Sequence, residues 1–151
     1  STCCLRHYGA IVVKNDAIVS TGYNGSPRGT INYDEAGICP RKIVGAKRNE
    51  RYELCIELHA ETNAIIHAGR DKCIGSTLYV AGYDVERRDI THDSAPCIFC
   101  CALIANAGIS RVVLSDAELS EADIKGIICN YQRKIIEDVK SGRIPDPQSM
   151  Y

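Results

Sequence analysis

Two short apolar runs rich in β-branched residues predict a β-hairpin near the start of the chain. Residues 8–14 (YGAIVVK) and 17–23 (AIVSTGY) flank the turn pair Asn15-Asp16, an arrangement typical of antiparallel strands joined by a tight turn. The residues that follow, 24–30 (NGSPRGT), are rich in Gly, Pro, Asn and Ser and predict a loop.

The rest of the chain alternates between segments with helical periodicity and short strand-like runs. The apolar positions of residues 56–69 predict a buried helix that ends at Gly69, and Pro96 suits the first turn of a second helix. The predicted elements are an irregular segment at 31–55 with room for one helical turn, a helix at 56–69, a strand at 77–81, a polar loop at 82–95, a helix at 96–106, a strand at 111–114 and a helix at 131–140. This order predicts one α/β domain over residues 1–151, a three-layer α/β/α sandwich around a central mixed five-stranded sheet.

Composition narrows the class of substrate and the compartment. The net charge is −1 at pH 7, whereas proteins that hold long nucleic acids usually carry a basic surplus. A small-molecule substrate is therefore expected. No apolar run approaches the length of a membrane span. The nine cysteines, an odd count, favour metal binding and free thiols in a reducing compartment. We therefore expect a cytoplasmic protein that binds neither long nucleic acid nor membrane.

Two motifs supply metal ligands and a carboxylate: residues 59–61 read HAE and residues 96–100 read PCIFC. His59, Cys97 and Cys100 would hold Zn²⁺ tetrahedrally and leave one position open for water, which distinguishes a catalytic site from a closed structural one. A Cys-x-x-Cys pair with a distant histidine is also compatible with a structural zinc site or with thiols of no function. Glu61 favours catalysis because it can move the protons of the activated water. The combination is the signature of zinc-dependent base deaminases and predicts hydrolysis of an amine from a heterocycle.

Three further stretches carry a resemblance to a known family: residues 20–29 (STGYNGSPRG), 61–65 (ETNAI) and 106–109 (NAGI). With the metal motifs, they make the chain similar to the cytidine/deoxycytidylate deaminase superfamily, most closely to its zinc-dependent dCMP deaminases. The similarity covers about residues 2–114, and residues 115–151 add a C-terminal helix and tail. The resemblance implies a cytidine deaminase-like fold and hydrolysis of dCMP to dUMP and ammonia. The GYNGSPRG stretch favours dCMP deaminases over nucleoside or tRNA deaminases.

The resemblance also assigns roles to single residues. It implies that the three predicted ligands bind zinc and that Glu61 is the proton shuttle. Asn24 would hydrogen-bond the sugar hydroxyl, and the Ala60 N–H would contact the pyrimidine carbonyl. Members of the family are often hexamers, so a homo-oligomer is expected, activated by dCTP and inhibited by dTTP through the loop from Gly25 to Gly29. Arg28 would contact a phosphate in that loop or at the active site.

Some relatives carry a second, structural zinc ion, which the resemblance transfers to this chain as an open hypothesis. Cys3 and Glu57 stand at two of the expected positions, while Tyr33 stands where a third ligand, a cysteine, is expected. Cys39 and Cys55 could complete a rearranged ligand set. The alternative is that these thiols are free and buried.

Two other functions stay open at this point. The same chemistry could act on another small base or nucleoside, or on adenosine in tRNA. The fold could also serve a non-catalytic, deaminase-like regulatory protein. The near-neutral charge argues against tRNA, and the presence of Glu61 argues against a purely structural zinc site.

Overall fold

A mixed six-stranded sheet lies at the centre of the computed structural model, which describes residues 1–46, 50–92 and 95–145. The strands are β1 (Arg6–Lys14), β2 (Ala17–Tyr23), β3 (Thr77–Asp84), β4 (Asp89–Ile90), β5 (Arg111–Val113) and β6 (Glu118–Ser120). The order across the sheet is β2-β1-β3-β5-β6, and β4 pairs with the end of β3. The β3–β5 pair is parallel and the other pairs are antiparallel. The predicted mixed sheet is confirmed, with β4 as a short addition inside the predicted loop at 82–95.

The predicted hairpin forms because its two turn residues adopt the left-handed backbone conformation that the turn requires. Asn15 and Asp16 have φ of 52° and 59°, the left-handed values that a tight two-residue hairpin turn needs at both central positions. Lys14 pairs with Ala17 directly across the turn. This register brings the end of β2, and the loop after it, alongside the start of β1.

Seven helical segments connect and cover the strands in the described residues. They are α1 (Tyr33–Ala36), α2 (Pro40–Ile43), a 3₁₀ turn (Tyr52–Leu54), α3 (Ala60–Ala68), α4 (Arg70–Cys73), α5 (Ile98–Ala107) and α6 (Glu121–Lys140). The described part of residues 31–55, a segment expected to be irregular with room for one helical turn, thus contains three short helical turns. No helix in the described residues has the length and apolarity needed to cross a membrane.

Two helix boundaries differ from the sequence prediction. The helix predicted from residue 56 begins only at Ala60, because Leu58 pairs with Gly25 in an isolated β-bridge: the Leu58 N–H donates to the Gly25 carbonyl at 2.8 Å, and the Leu58 carbonyl accepts from the Gly25 N–H at 3.1 Å. The final helix begins ten residues before the predicted start. Ser120 and Asp123 form a capping box there, in which each side chain bonds the backbone of the other.

The core lies between one face of the sheet and the helices α3, α5 and α6. Along β1, Ala10 and Val12 are buried while Ile11 is 37% exposed, and along β3 Leu78 is buried while Tyr79 is 38% exposed. Helix α3 packs on β1 and β2, and α6 packs on α5. The expected α/β fold, a mixed sheet with helices packed on it, is therefore confirmed.

Candidate active site

The position of His59 is set by close packing of β2 against α3. A Cβ atom on Gly22 would lie 2.3 Å from the Ala64 nitrogen and 2.4 Å from the Ala60 oxygen, so only glycine permits this approach. Ser20 Oγ donates to the Ala64 carbonyl at 2.7 Å. Together these contacts fix the first turn of α3, whose N-cap residue is His59.

Cys97 and Cys100 reach the same point from α5. Cys97 is the N-cap residue of that helix, and its sulfur accepts a hydrogen bond from the Cys100 N–H. His59 Nδ1 lies 3.4 Å from Cys97 Sγ and 3.3 Å from Cys100 Sγ. Zn–S bonds of about 2.3 Å and Zn–N bonds of about 2.0 Å place nitrogen and sulfur ligands about 3.5 Å apart in a tetrahedral site. The three residues therefore fit a zinc ion held through Nδ1 and two sulfurs.

Charge at this site favours a cation. The hydrogen bond with Cys100, together with the neighbouring His59, lowers the pKa of the Cys97 thiol to about 4. The pKa of Cys100 is raised by its hydrogen bond to Cys97 and by burial, so the pair shares one proton. A divalent metal ion displaces such a proton when it binds two thiolates. The amino ends of α3 and α5 add positive potential, which also stabilises thiolates.

Glu61 lies in the first turn of α3 and lines the same cavity as the three ligands. Its side chain is only 6% exposed, and burial raises its pKa. Ala60 is fully buried, and its N–H is at the first helical position, where the helix itself offers no acceptor. The structure thus brings together the predicted ligands, the predicted proton shuttle and the predicted backbone donor.

The cavity measures about 590 Å³, within the range of sites for small ligands. Asn24, also predicted to bind substrate, lines it, but the amide of this residue has structural partners. Its Oδ1 accepts from the Tyr8 N–H at 2.7 Å, and its Nδ2 donates to the Arg6 carbonyl at 3.0 Å. One amide hydrogen and one lone pair remain for a ligand.

None of the residues from Gly25 to Gly29 lines this cavity. Gly25 pairs with Leu58 just before the histidine ligand, whereas Arg28 is exposed and does not line the cavity. Arg28 Nη2 lies 3.0 Å from His67 Nε2, and His67 Nδ1 lies 2.9 Å from the Thr21 carbonyl. A carbonyl only accepts, so Nδ1 donates and Nε2 accepts from Arg28. Arg28 thereby connects the loop to the carboxyl-terminal end of α3, where His67 lies.

The residues proposed for a second zinc ion share one wall of the cavity without forming a compact ligand set. Cys3, Cys39, Cys55 and Glu57 all line it, yet in the described residues only His59, Cys97 and Cys100 bring three ligand atoms within 4.8 Å of one another. Burial raises the pKa of Cys3 to about 11 and also raises that of Glu57. The second zinc ion stays a prediction.

The cavity-lining residues that the sequence analysis did not name include Arg41 and Tyr52. The Arg41 guanidinium lies 4.5 Å from the centre of the Tyr52 ring. The Tyr52 ring in turn meets the His59 ring edge-on, with 6.2 Å between centres. Both residues lie in the segment at 31–55, which has no periodic pattern. The only available signal was the presence of basic and aromatic residues shortly before the histidine motif.

Comparisons with known proteins agree on one family. The profile described as the cytidine and deoxycytidylate deaminase zinc-binding region matches residues 1–116. A deoxycytidylate deaminase of Saccharomyces cerevisiae is 39% identical over 119 residues, which cover 78% of this chain and 33% of that protein. The deoxycytidylate deaminase of Mycobacterium phage D29 is 36% identical over 118 residues, covering 75% of this chain and 80% of that protein.

Among solved structures, a dCMP deaminase from cyanophage S-TIM5 in complex with dCMP and dUMP is similar to this chain. It is 32% identical, with a TM-score of 0.46, and the match covers 71% of this chain and 63% of that one. The chain spans about a third of the length of the two yeast relatives that it matches.

Proposed function

The chain belongs to the family of cytidine and deoxycytidylate deaminase zinc-binding regions, and from this premise we propose that it hydrolyses dCMP to dUMP and ammonia. One observation carries the proposal. His59, Cys97 and Cys100 converge with ligand geometry suited to zinc, and the buried carboxyl group of Glu61 lines the same cavity.

The chain's own residues supply the acid–base and positioning steps. Zinc, when bound at such a site, supplies a water that ionises near neutral pH. The Glu61 carboxylate accepts the two protons of the attacking water one after the other, and it delivers the first to the ring nitrogen and the second to the departing amine. The Ala60 N–H donates to the pyrimidine carbonyl and so fixes the ring orientation. Asn24 offers its remaining amide group to the sugar.

The choice of dCMP as substrate rests on the loop from Gly22 to Gly29 and on the relatives. Both the yeast and the phage D29 relatives are deoxycytidylate deaminases. The net charge of −1 supports a small substrate over a polynucleotide. Assembly into a homo-oligomer, regulation by dCTP and dTTP at Gly25 to Gly29, and a cytoplasmic location remain predictions.

The test is ammonia release by the zinc-loaded protein with dCMP, CMP, deoxycytidine, cytosine and adenosine. We expect dCMP to be preferred, and Glu61→Gln to lower turnover by about 10²- to 10⁴-fold because general acid–base catalysis is lost. Glu137→Gln, the same change on the exposed surface of α6, is the control and should leave turnover unchanged. Equal turnover of deoxycytidine and dCMP would refute the nucleotide preference. Full activity of Glu61→Gln with normal zinc content would refute the role of Glu61.

A further inference from the structure

The aromatic ring of Tyr52 packs against the ring of His59, one of the three predicted metal ligands. The ring centres lie 6.2 Å apart and the ring planes are inclined by 65°, the edge-to-face arrangement that aromatic pairs prefer. Tyr52 begins the 3₁₀ turn and lines the same cavity as His59. A side chain from outside the two metal motifs therefore touches a predicted ligand.

The orientation of the His59 ring decides which of its atoms faces the metal. In the described residues, the hydrogen-bond contacts of this ring both involve Nδ1, which lies beside the sulfurs of Cys97 and Cys100. Nδ1 is also the atom that the ligand geometry assigns to zinc. Metal-binding histidines usually use their second nitrogen for a bond that fixes the orientation of the ring. A packing contact on the ring, such as the one from Tyr52, restricts the same rotation.

The Tyr52 ring is itself held by a cation. The Arg41 guanidinium lies 4.5 Å from the centre of the Tyr52 ring, and the electrostatic attraction between a cation and an aromatic face favours this position. Arg41 Nε also donates to the Glu50 carbonyl at 2.9 Å, which limits the movement of the guanidinium. Contacts therefore run without a break from the backbone at Glu50 through Arg41 and Tyr52 to His59.

The backbone next to Tyr52 has an unusual conformation. Arg51, the N-cap residue of the 3₁₀ turn, has φ of 52° and ψ of 39°, a left-handed conformation that is uncommon for residues with a Cβ atom. Such conformations persist only where the surrounding structure determines them, and they cluster at functional sites. Backbone strain is thus located at the residue that directs the Tyr52 side chain into the cavity.

We propose that Tyr52 is a positioning residue of the metal site: its ring, held by Arg41, keeps the His59 ring in the orientation in which Nδ1 faces Cys97 and Cys100. This inference goes beyond the proposed function and rests only on the metal site within it, not on the identity of the substrate. Tyr52 does not bind the metal. Removal of its ring frees the His59 ring to rotate, which weakens metal binding and alters the ligand geometry.

The test compares Tyr52→Leu and Tyr52→Phe with a matched control, Tyr33→Leu. Tyr33 is half-buried like Tyr52 and lies in the same segment, where its hydroxyl is 3.5 Å from the Leu54 carbonyl oxygen, but it does not line the cavity. In zinc competition with a chromophoric chelator, we expect Tyr52→Leu to weaken affinity by about 10-fold, since an outer contact of a ligand is lost. Tyr52→Phe, which keeps the ring, and Tyr33→Leu should stay close to the wild type.

Replacement of zinc by Co²⁺ gives a second readout, because the visible absorption of tetrahedral Co²⁺ depends on the arrangement of its ligands. The spectrum of Tyr52→Leu should differ from that of the wild type, whereas the spectra of Tyr52→Phe and Tyr33→Leu should match it. A wild-type affinity and spectrum in Tyr52→Leu would overturn the inference. Equal losses in Tyr52→Leu and Tyr33→Leu would also overturn it, because they would indicate a general loosening of the segment. An equal loss in Tyr52→Phe would show that the ring is not responsible.

A double-mutant cycle tests the contribution of Arg41. Arg41→Gln should weaken zinc binding by about 2- to 5-fold when Tyr52 is present, and it should add nothing in the Tyr52→Leu background, because Arg41 acts through that ring. Additive losses would overturn the connection from Arg41 through Tyr52 to His59. If the wild type deaminates no cytosine compound, the proposed function fails, yet these measurements still decide the role of Tyr52 because none of them requires turnover.

Discussion

Replacement of Gly22 by alanine tests whether the fit between β2 and α3 holds the metal site together. The added Cβ would lie 2.3 Å from the nitrogen of Ala64 and 2.4 Å from the oxygen of Ala60. Both atoms belong to the backbone of α3, so no flexible side chain can move aside. Either the strand or the start of the helix must shift, and His59 is the residue at that start.

The expected loss of folding stability follows from the cost of placing an extra methyl group in a rigid, packed interior. Extra methyl groups forced into packed interiors cost about 1–3 kcal/mol, and backbone contacts on two atoms place this change near the upper value, about 3 kcal/mol. In a chain of about 150 residues, each kcal/mol lowers the melting temperature by about 2–4 °C. The melting temperature of Gly22→Ala should therefore lie about 6–12 °C below that of Gly9→Ala, the reference variant. Its zinc affinity should fall as well, because the ligand on α3 moves away from the two on α5.

Gly9→Ala provides the matched reference. Gly9 lies on β1, the neighbouring strand, and a Cβ atom there would meet nothing within 4 Å. Both substitutions restrict the unfolded chain in the same way, so the difference between them isolates the contact with α3. Thermal melting by circular dichroism and zinc competition with a chromophoric chelator provide the two measurements. If Gly22→Ala matched Gly9→Ala in melting temperature and zinc affinity, the close approach would not be what positions His59.

Two further substitutions probe the metal ligands and the last helix. Cys97→Ser should abolish stoichiometric zinc in purified protein, measured by mass spectrometry, whereas Cys129→Ser, on an exposed cysteine of α6, should retain it; zinc retained by Cys97→Ser would remove Cys97 from the ligand set. Ser120→Ala should destabilise the protein by about 1 kcal/mol in urea unfolding at pH 7, because α6 loses its N-cap. Hydrogen bonds from Ser120 lower the pKa of Asp123 below its ordinary value of 3.8. The stabilisation from this charge is therefore present above that value and lost as the pH falls through the lower folded pKa, so the gap between wild type and variant should narrow in acid. A gap that widened in acid would contradict this account.

The metal site could be predicted from sequence because its chemistry is local. The ligands are of residue types that bind zinc, and each lies at or next to the first turn of its helix. His59 and Cys97 are the N-cap residues of α3 and α5, and Cys100 lies in the first turn of α5. Glu61 adds a carboxylate within the first turn. The start of the mixed sheet was also predictable, since β1 and β2 are apolar runs on either side of the turn pair Asn15-Asp16.

Other features depended on partners that a periodic pattern does not reveal. Residues 56–58 were included in the predicted helix, yet Leu58 pairs with Gly25, which is distant in sequence, in a β-bridge. The first half of α6 carries Ile124, Ile127 and Ile128 at helical spacing, and its start at Ser120 is marked by a capping box. The sequence analysis used neither signal.

The segment at 31–55 shows where sequence patterns stop predicting which residues line the cavity. Its short turns are held by single contacts, such as the bond from Arg41 to the Glu50 carbonyl and the packing of Tyr52 on His59, rather than by a repeating apolar face. Motif spacing can locate the atoms that activate water, because those atoms must share one metal. The group that recognises the far end of a substrate has no such constraint on its place in the chain. The predicted metal ligands are therefore marked by HAE and PCIFC, whereas Arg41 and Tyr52 reach the same cavity only through the three-dimensional fold.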